Sequence, residues 1–264
     1  MTDQTAENPV SGQVLLYSRP EPLDARRHGH LGVRQTNTPY GFAAKQHFVP
    51  LNVGEFGPAS VSYPIVFAGD SHTPLAIMGV RPGENLFIEP NGAYKVSHYI
   101  PAYLRRYPFV GAVDSAQGRV VVCIDAASDL VTDQNPDARL FENGEITEYV
   151  RACMNFCSQY DTDRALTDSF VALLRQHDLF EIKQLSFTPR NPDGSNGQPV
   201  PISEYYSISE EKLMKLPADV LVQLRNSGAL SQIYAHLHSL YLWERVVGES
   251  MLRQAAETGG ATVQ

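Results

Sequence analysis

Two adjacent guanidiniums stand in the segment YIPAYLRRYPF (99–109), where Arg105 and Arg106 lie among three tyrosines and between two prolines. A guanidinium is planar, permanently charged and rich in donors, so it suits a carboxylate, a phosphate or a peptide backbone. With Tyr99, Tyr103 and the amide of Asn85 in the preceding RPGENLFIEPNG (81–92), the two arginines form a candidate ligand-binding set. The competing reading pairs them with acids such as Glu84, Glu89 or Asp125 and makes them locks between strands. Apolar and solvated residues alternate here, so burying both cations together is difficult, and one structural and one functional arginine is a natural division.

Other residues offer chemistry at less telling spacings. VFAGDSHTP (66–74) resembles the strand-then-Gly-Asp-Ser start of the GDSL hydrolases, in which the serine is a nucleophile. Ser71 would then need a histidine to activate it, usually with Asp three positions earlier, and none of the eight histidines has one. A Gly-Asp-Ser turn is the expectation. His28-Gly29-His30 sets two imidazoles on one side of an extended segment, but Arg26, Arg27 and Arg34 surround them with positive charge and the third ligand is undefined, Glu55 being a guess. A plain polar loop, or a loop that faces phosphate, is the other reading, and no metal ligands are assigned. His236 and His238 lie about 200° apart on a helix and cannot share one ion. Cys153 and Cys157 share a helical stripe with Ile146, Tyr149, Val150 and Tyr160, which predicts buried structural thiols, and Cys123 in RVVVCIDAA should pack as a small hydrophobe.

The elements that must position these residues divide the chain in two. Between about 14 and 131, the runs VLLY, HFVPL, YPIVFA, PLAIMGV, NLFIEP, YPFVGAV and RVVVCIDA read as strands, with PNGAY and DSAQGR as tight turns. From Gly144 the period becomes helical in GEITEYVRACMNFCSQY and TDRALTDSFVALLRQHD. FEIKQLSFTP, NPDGSNG and PVPISEYYSI then form a β-hairpin. Ser207 with Glu210 suggests a capping box, Pro217 a first helical turn and Gly228 a helix end. The closing ALSQIYAHLHSLYLWERVVGESMLRQAA is apolar around much of its circumference and should be largely buried. The expected fold is α+β: a strand-rich half with a mainly antiparallel sheet (13–131), then a helical half containing a hairpin (144–255). Together they form one domain over 13–255, with disordered ends at 1–12 and 256–264.

Composition narrows the function. A formal net charge of -8 without a basic run argues against nucleic acid and against an anionic membrane surface. Apolar runs stop short of a membrane span, and MTDQTAENPVSG lacks the basic and apolar regions of a secretory signal, so a soluble, cytoplasmic protein is expected.

Taken together, FVPLNVGEF (48–56), YPIVF (63–67), GENLF (83–87), YIPAYLRRYPF, YYSISEEKLMKL and SGALSQIYAHLHSL (227–240) are similar to the SapC family of bacterial proteins, over most of the chain. Tyr94 stands where the family is expected to carry Trp. The family takes its name from a surface-layer gene cluster, and its relatives are sometimes labelled peptide-transport components. Its genes tend to neighbour flavin-dependent tryptophan halogenases, cupin-like proteins and TonB-dependent receptors. The resemblance thus implies an accessory or binding role with a small molecule or peptide, and a partner protein such as a flavin-dependent halogenase. An enzyme acting on a peptide or amino-acid derivative, with or without a metal, and a surface-layer protein are the alternatives. The family carries no settled catalytic residues.

Overall fold

The structure, a computed structural model, describes residues 14–114, 119–188, 195 and 197–259. It is α+β, with antiparallel sheets through the first half and helices dominating beyond residue 147. The largest sheet has five strands in the spatial order Phe180–Phe187, Val200–Ile208, Ile65–Ala68, Thr73–Ile77, Phe48–Pro50. The register opposes Ile65 to Ala76 and Val66 to Leu75. Because side chains alternate across a strand, Val49, Ile65, Phe67 and Ala76 all point into the main core and are fully buried. Phe48, Val66, Leu75 and Ile77 face the other way. The helix Ala229–Ser239 closes the core face: Ser239 Oγ accepts the N–H of Ile65 at 2.9 Å, and the His236 ring lies 5.1 Å from that of Phe67.

A second sheet places Arg119–Asp125 between Pro20–Pro22 and Phe109–Asp114, and a third holds Gly32–Val33 between Val131–Thr132 and Ala138–Arg139. Only glycine fits at 32, since a Cβ there would stand 2.3 Å from Pro136 and 2.5 Å from the Ala138 carbonyl. The helix Glu148–Gln176 is one uninterrupted element, capped by the Thr147 side chain accepting from Val150 N–H. The two helical patterns of the sequence merge because no Gly or Pro separates them. Its first part packs Val150 and Cys157 into a small core with Phe109 and Ile124, and its later part packs Tyr160, Phe170 and Leu174 into the main one.

Five expectations need correction. VLLY is a turn in which Leu16 takes a left-handed conformation, and NLFIEP is irregular apart from a bridge between Ile88 and Tyr94. The cap of Glu210–Met214 is Ser209, which accepts from Lys212 N–H, while Ser207 ends the hairpin strand. The closing pattern breaks at Leu240–Leu242 into Ala229–Ser239 and Trp243–Gly259, and it leaves Tyr241 82% and Leu252 74% exposed. The last of these helices also runs on through 256–259, into the stretch assigned to a frayed tail. Residues 115–118 of the turn DSAQGR and most of NPDGSNG lie outside the described residues.

A polar seam docks the final helix. Glu84, 5% exposed, accepts from Arg81 at 2.8 Å, from Ser250 Oγ at 2.7 Å and from Val80 N–H at 3.2 Å. Arg253 donates to the Asn85 carbonyl at 2.9 Å, and Arg245 to that of Ser62 at 2.6 Å. No helix among the described residues is long and apolar enough to cross a membrane.

Candidate functional site

The segment 99–109 forms a single helical turn, Ala102–Arg105, and then enters the strand Phe109–Asp114 through a cis Tyr107–Pro108 bond. Successive residues on a helical turn are rotated by about 100°. Arg105 and Arg106 therefore leave the backbone in different directions, one to solvent and one inward.

Arg105 is exposed. Its Nε donates to the Ile100 carbonyl at 3.0 Å and one Nη to the Tyr99 hydroxyl at 3.3 Å, while its guanidinium carbon sits 5.2 Å from the centroid of the Phe156 ring. No carboxylate pairs with it among the described residues. Two anchors and an aromatic floor fix the plane of the cation and leave donor capacity facing outward.

Behind it stands Glu55, only 8% exposed. One carboxylate oxygen accepts from Ala102 N–H at 2.7 Å and from Tyr99 OH at 3.0 Å, and the other accepts from Asn52 N–H at 3.0 Å. Tyr99 thus receives from Arg105 and donates to Glu55. Burial and the Glu55 charge push its phenol up to about 12, so it stays a donor at neutral pH.

Arg106 is 8% exposed and lies in a cage of phenol rings. Its guanidinium carbon is 4.2 Å from the Tyr103 centroid, 4.3 Å from that of Tyr160 and 5.7 Å from that of Tyr17, and its Nε has no hydrogen-bond partner. Burial disfavours the charge, but the surrounding phenols and the Cys157 thiol outweigh it, and the guanidinium is held more firmly protonated than usual. Tyr17 and Tyr103 spend their hydroxyls on the carbonyls of Phe109, at 2.6 Å, and Leu15, at 2.8 Å.

Asn85 is 1% exposed and committed internally: its amide donates to the Ala43 carbonyl at 3.1 Å and its oxygen accepts from Phe87 N–H at 2.9 Å. Of the five residues picked from the sequence, the structure brings Tyr99 and Arg105 together at the surface, Tyr103 and Arg106 together inside, and Asn85 into a separate buried turn. Glu55 and Phe156 went unnoticed as partners. Glu55 lies 44 residues before Tyr99, and Phe156 lies on a helix that nothing local connects to Arg105. Neither Glu84 nor Asp125 takes an arginine of the pair: Glu84 belongs to the seam, and Asp125 accepts the N–H groups of Ser18 at 2.9 Å and Arg19 at 2.8 Å.

Of the remaining chemical candidates Ser71 and His28 are tied up, while His30 is exposed, and Ala25–His28 is a helical turn in place of the extended segment expected there. Ser71 shares a 2.8 Å hydrogen bond with Thr73 in the exposed turn between two strands, and the neighbouring His72 Nδ1 faces Arg175. The Nδ1 of His28 accepts the N–H of Asp24 at 3.1 Å and its Nε2 lies 3.5 Å from Glu21, a carboxylate that also holds Arg19 and Arg27. Among the described residues no group of three or more His, Cys, Asp or Glu is placed to hold a metal ion. Cys123 and Cys157 are buried, Cys153 is half-buried, and burial raises all three thiols.

An α+β chain with a surface guanidinium braced by a buried carboxylate defines a class of fold, not a reaction. The SapC family model matches residues 23–246, and the chain belongs to the SapC family. Comparison with the curated proteins and with the solved structures gave no match.

Proposed function

We propose that this protein is a soluble binding or accessory protein that recognises a small anionic ligand, such as a peptide or amino-acid derivative with a free carboxylate, at the face formed by Arg105, Tyr99 and Phe156. The observation that carries the reading is the state of Arg105, exposed and oriented by Ile100 and Tyr99 yet without an acidic partner among the described residues. A carboxylate can take the free edge of such a planar cation in two parallel hydrogen bonds, while an apolar ligand side chain lies against Phe156. Arg106 supports the site from within, with its rings fixing the turn that carries Arg105. A processing or uptake pathway would use such a module to hold its substrate for a partner, and a flavin-dependent halogenase is one such partner.

The test compares N-acetyl amino acids with their C-terminal amides by calorimetry at two salt concentrations. The acids should bind saturably and more weakly as salt rises, because an exposed pair is screened. Equal binding of acid and amide would overturn the reading.

A further inference from the structure

The five-stranded sheet ends on an open edge. Its outermost strand, Phe180–Phe187, pairs with Val200–Ile208 on one side and with nothing among the described residues on the other. The backbone groups of an antiparallel strand alternate, residue by residue, between its two sides. Three contacts fix the phase of that alternation. The Leu179 carbonyl accepts the N–H of Ser209 at 2.8 Å, so the odd-numbered residues turn toward the neighbouring strand. The Phe180 carbonyl instead meets Lys212 Nζ at 2.9 Å, and the N–H of Ile208, its register partner, turns away to His236 at 3.1 Å. The N–H and C=O groups of Ile182 and Gln184 therefore point off the edge, and no group among the described residues takes them.

The side chains along this edge complement a copy of themselves. Ile182 stands on the core-side face, opposite Tyr206, yet is 64% exposed. Glu181 and Lys183 share the other face and form a 3.3 Å ion pair. Two copies joined edge to edge about a two-fold axis perpendicular to the sheet keep their faces aligned, so each residue opposes one of its own face. With the axis at Ile182, the two isoleucines meet as a hydrogen-bonded pair, and each Glu181 lies across from the second copy's Lys183. With the axis at Glu181 or at Lys183, like charges meet, which is unfavourable between directly opposed residues. An axis at Gln184 carries the pairing across the irregularity between Leu185 and Ser186.

Proteins guard sheet edges with charges and bulges. In this strand the irregularity comes after Leu185 and leaves Phe180–Gln184 regular, while Lys183 finds its counter-charge in the copy. The opposite edge of the sheet, Phe48–Pro50, is three residues long and closes with a proline that has no N–H to give, so association ends at two copies.

We propose that this protein forms a symmetric dimer through antiparallel pairing of Phe180–Gln184 with the same segment of a second copy, centred on Ile182. Each Ile182 exchanges both backbone hydrogen bonds with its counterpart, its side chain is covered, and the Glu181 and Lys183 pairs set the register.

The test is sedimentation velocity of the full chain between about 1 and 200 µM, with hydrogen exchange at both ends of that range. The unaltered protein should pass from monomer to dimer, and the Ile182 and Gln184 amides should exchange more slowly in the dimer. Ile182→Pro removes an N–H that the monomer does not use, and it should weaken the dimer at least about tenfold. Lys183→Glu and Glu181→Lys each set like charges opposite one another and should each weaken it by about fivefold or more. An equimolar mixture of those two variants restores both opposite-charge pairs and should dimerise more tightly than either alone. A monomer at every concentration, a dimer that Ile182→Pro leaves unchanged, or a mixture no tighter than its components would overturn the proposal. Slow exchange of the Ile182 and Gln184 amides in such a monomer would assign the edge to another segment of the same chain. The mixture contains no proline variant, so an Ile182→Pro chain that fails to fold leaves the test standing.

Discussion

The guanidinium carbon of Arg106 lies 4.3 Å from the centroid of the Tyr160 ring, which joins the turn before the strand Phe109–Asp114 to the middle of the helix Glu148–Gln176 through a cation and a π face. Isolated cation–π contacts contribute about 0.5–2 kcal/mol each, more when desolvated, and three rings share this cation. They offset a desolvation cost of several kcal/mol. The charge itself need not be stabilising, but the volume it fills is.

That division makes Arg106 separable by substitution. Arg106→Ala should destabilise the fold by about 2–4 kcal/mol in urea unfolding, because it leaves a void among Tyr17, Tyr103 and Tyr160. Arg106→Leu should recover most of that loss by filling the void without a charge. If Leu proved as damaging as Ala, the cation itself would be what the cage needs.

His236 predicts a pH dependence. It is fully buried, its Nε2 accepts the N–H of Ile208 at 3.1 Å, and burial drives its pKa down to about 3. In the unfolded chain it titrates near about 6.5. Below that pH the unfolded state takes up a proton that the folded state refuses, so stability falls as pH drops from about 6.5 towards 3, by up to about 1.4 kcal/mol per pH unit. Urea unfolding at pH 7 and pH 5 should show His236→Gln losing less stability over that interval than the unaltered chain. Parallel losses would show that the imidazole is protonated in the fold.

Glu84 runs the other way. Burial raises its carboxyl, but the hydrogen bonds from Ser250, Arg81 and Val80 win, and it sits below the usual carboxylate range. A depressed acid stabilises above its unfolded pKa, near about 4.3, and that contribution is lost as pH falls through the lower folded value. Glu84→Gln should therefore cost about 1–3 kcal/mol at pH 7, and the gap from the unaltered chain should narrow as pH is lowered below 4. A gap independent of pH would mean that shape, not charge, docks the closing helix.

Much of this architecture is legible from residues alone. The period-two runs around Val66, Leu75, Val110 and Val121 became strands, and the helical spacing of Val150, Cys157 and Tyr160 became one face of a long helix. NLFIEP misled because its apolar residues are buried from an irregular loop, where Asn85 replaces the ladder by bonding to Ala43 and Phe87. Ser207 misled because Ser209 stands at the helix start just two residues later. At the candidate site, the chemical character of the arginine pair was readable, and so was the difficulty of burying both. What the chain order hid was the assignment: which arginine turns inward depends on Tyr17 and Tyr160, 89 and 54 residues away in sequence. The bracing of Tyr99 by Glu55 is equally non-local.

Glu55 should be the residue whose loss loosens that bracing. Glu55→Gln keeps the shape but turns an amide donor toward one of the groups that now donate to it, Ala102 N–H, Tyr99 OH or Asn52 N–H. A cost of about 1.5–3 kcal/mol in urea unfolding is expected, with faster exchange of the Ala102 amide. Unchanged exchange there would detach Glu55 from the turn.

The central claim is that Arg105 meets an anionic guest. Calorimetric titration of N-acetyl-alanine and N-acetyl-phenylalanine into the unaltered chain and into Arg105→Ala tests it most directly. Both acids should bind the unaltered chain, and Arg105→Ala should lose at least about tenfold in affinity while its melting temperature moves by no more than about 2 °C, as for an exposed substitution. Equal affinity in the variant, or a collapse of its stability, would contradict the account and make Arg105 a structural tie.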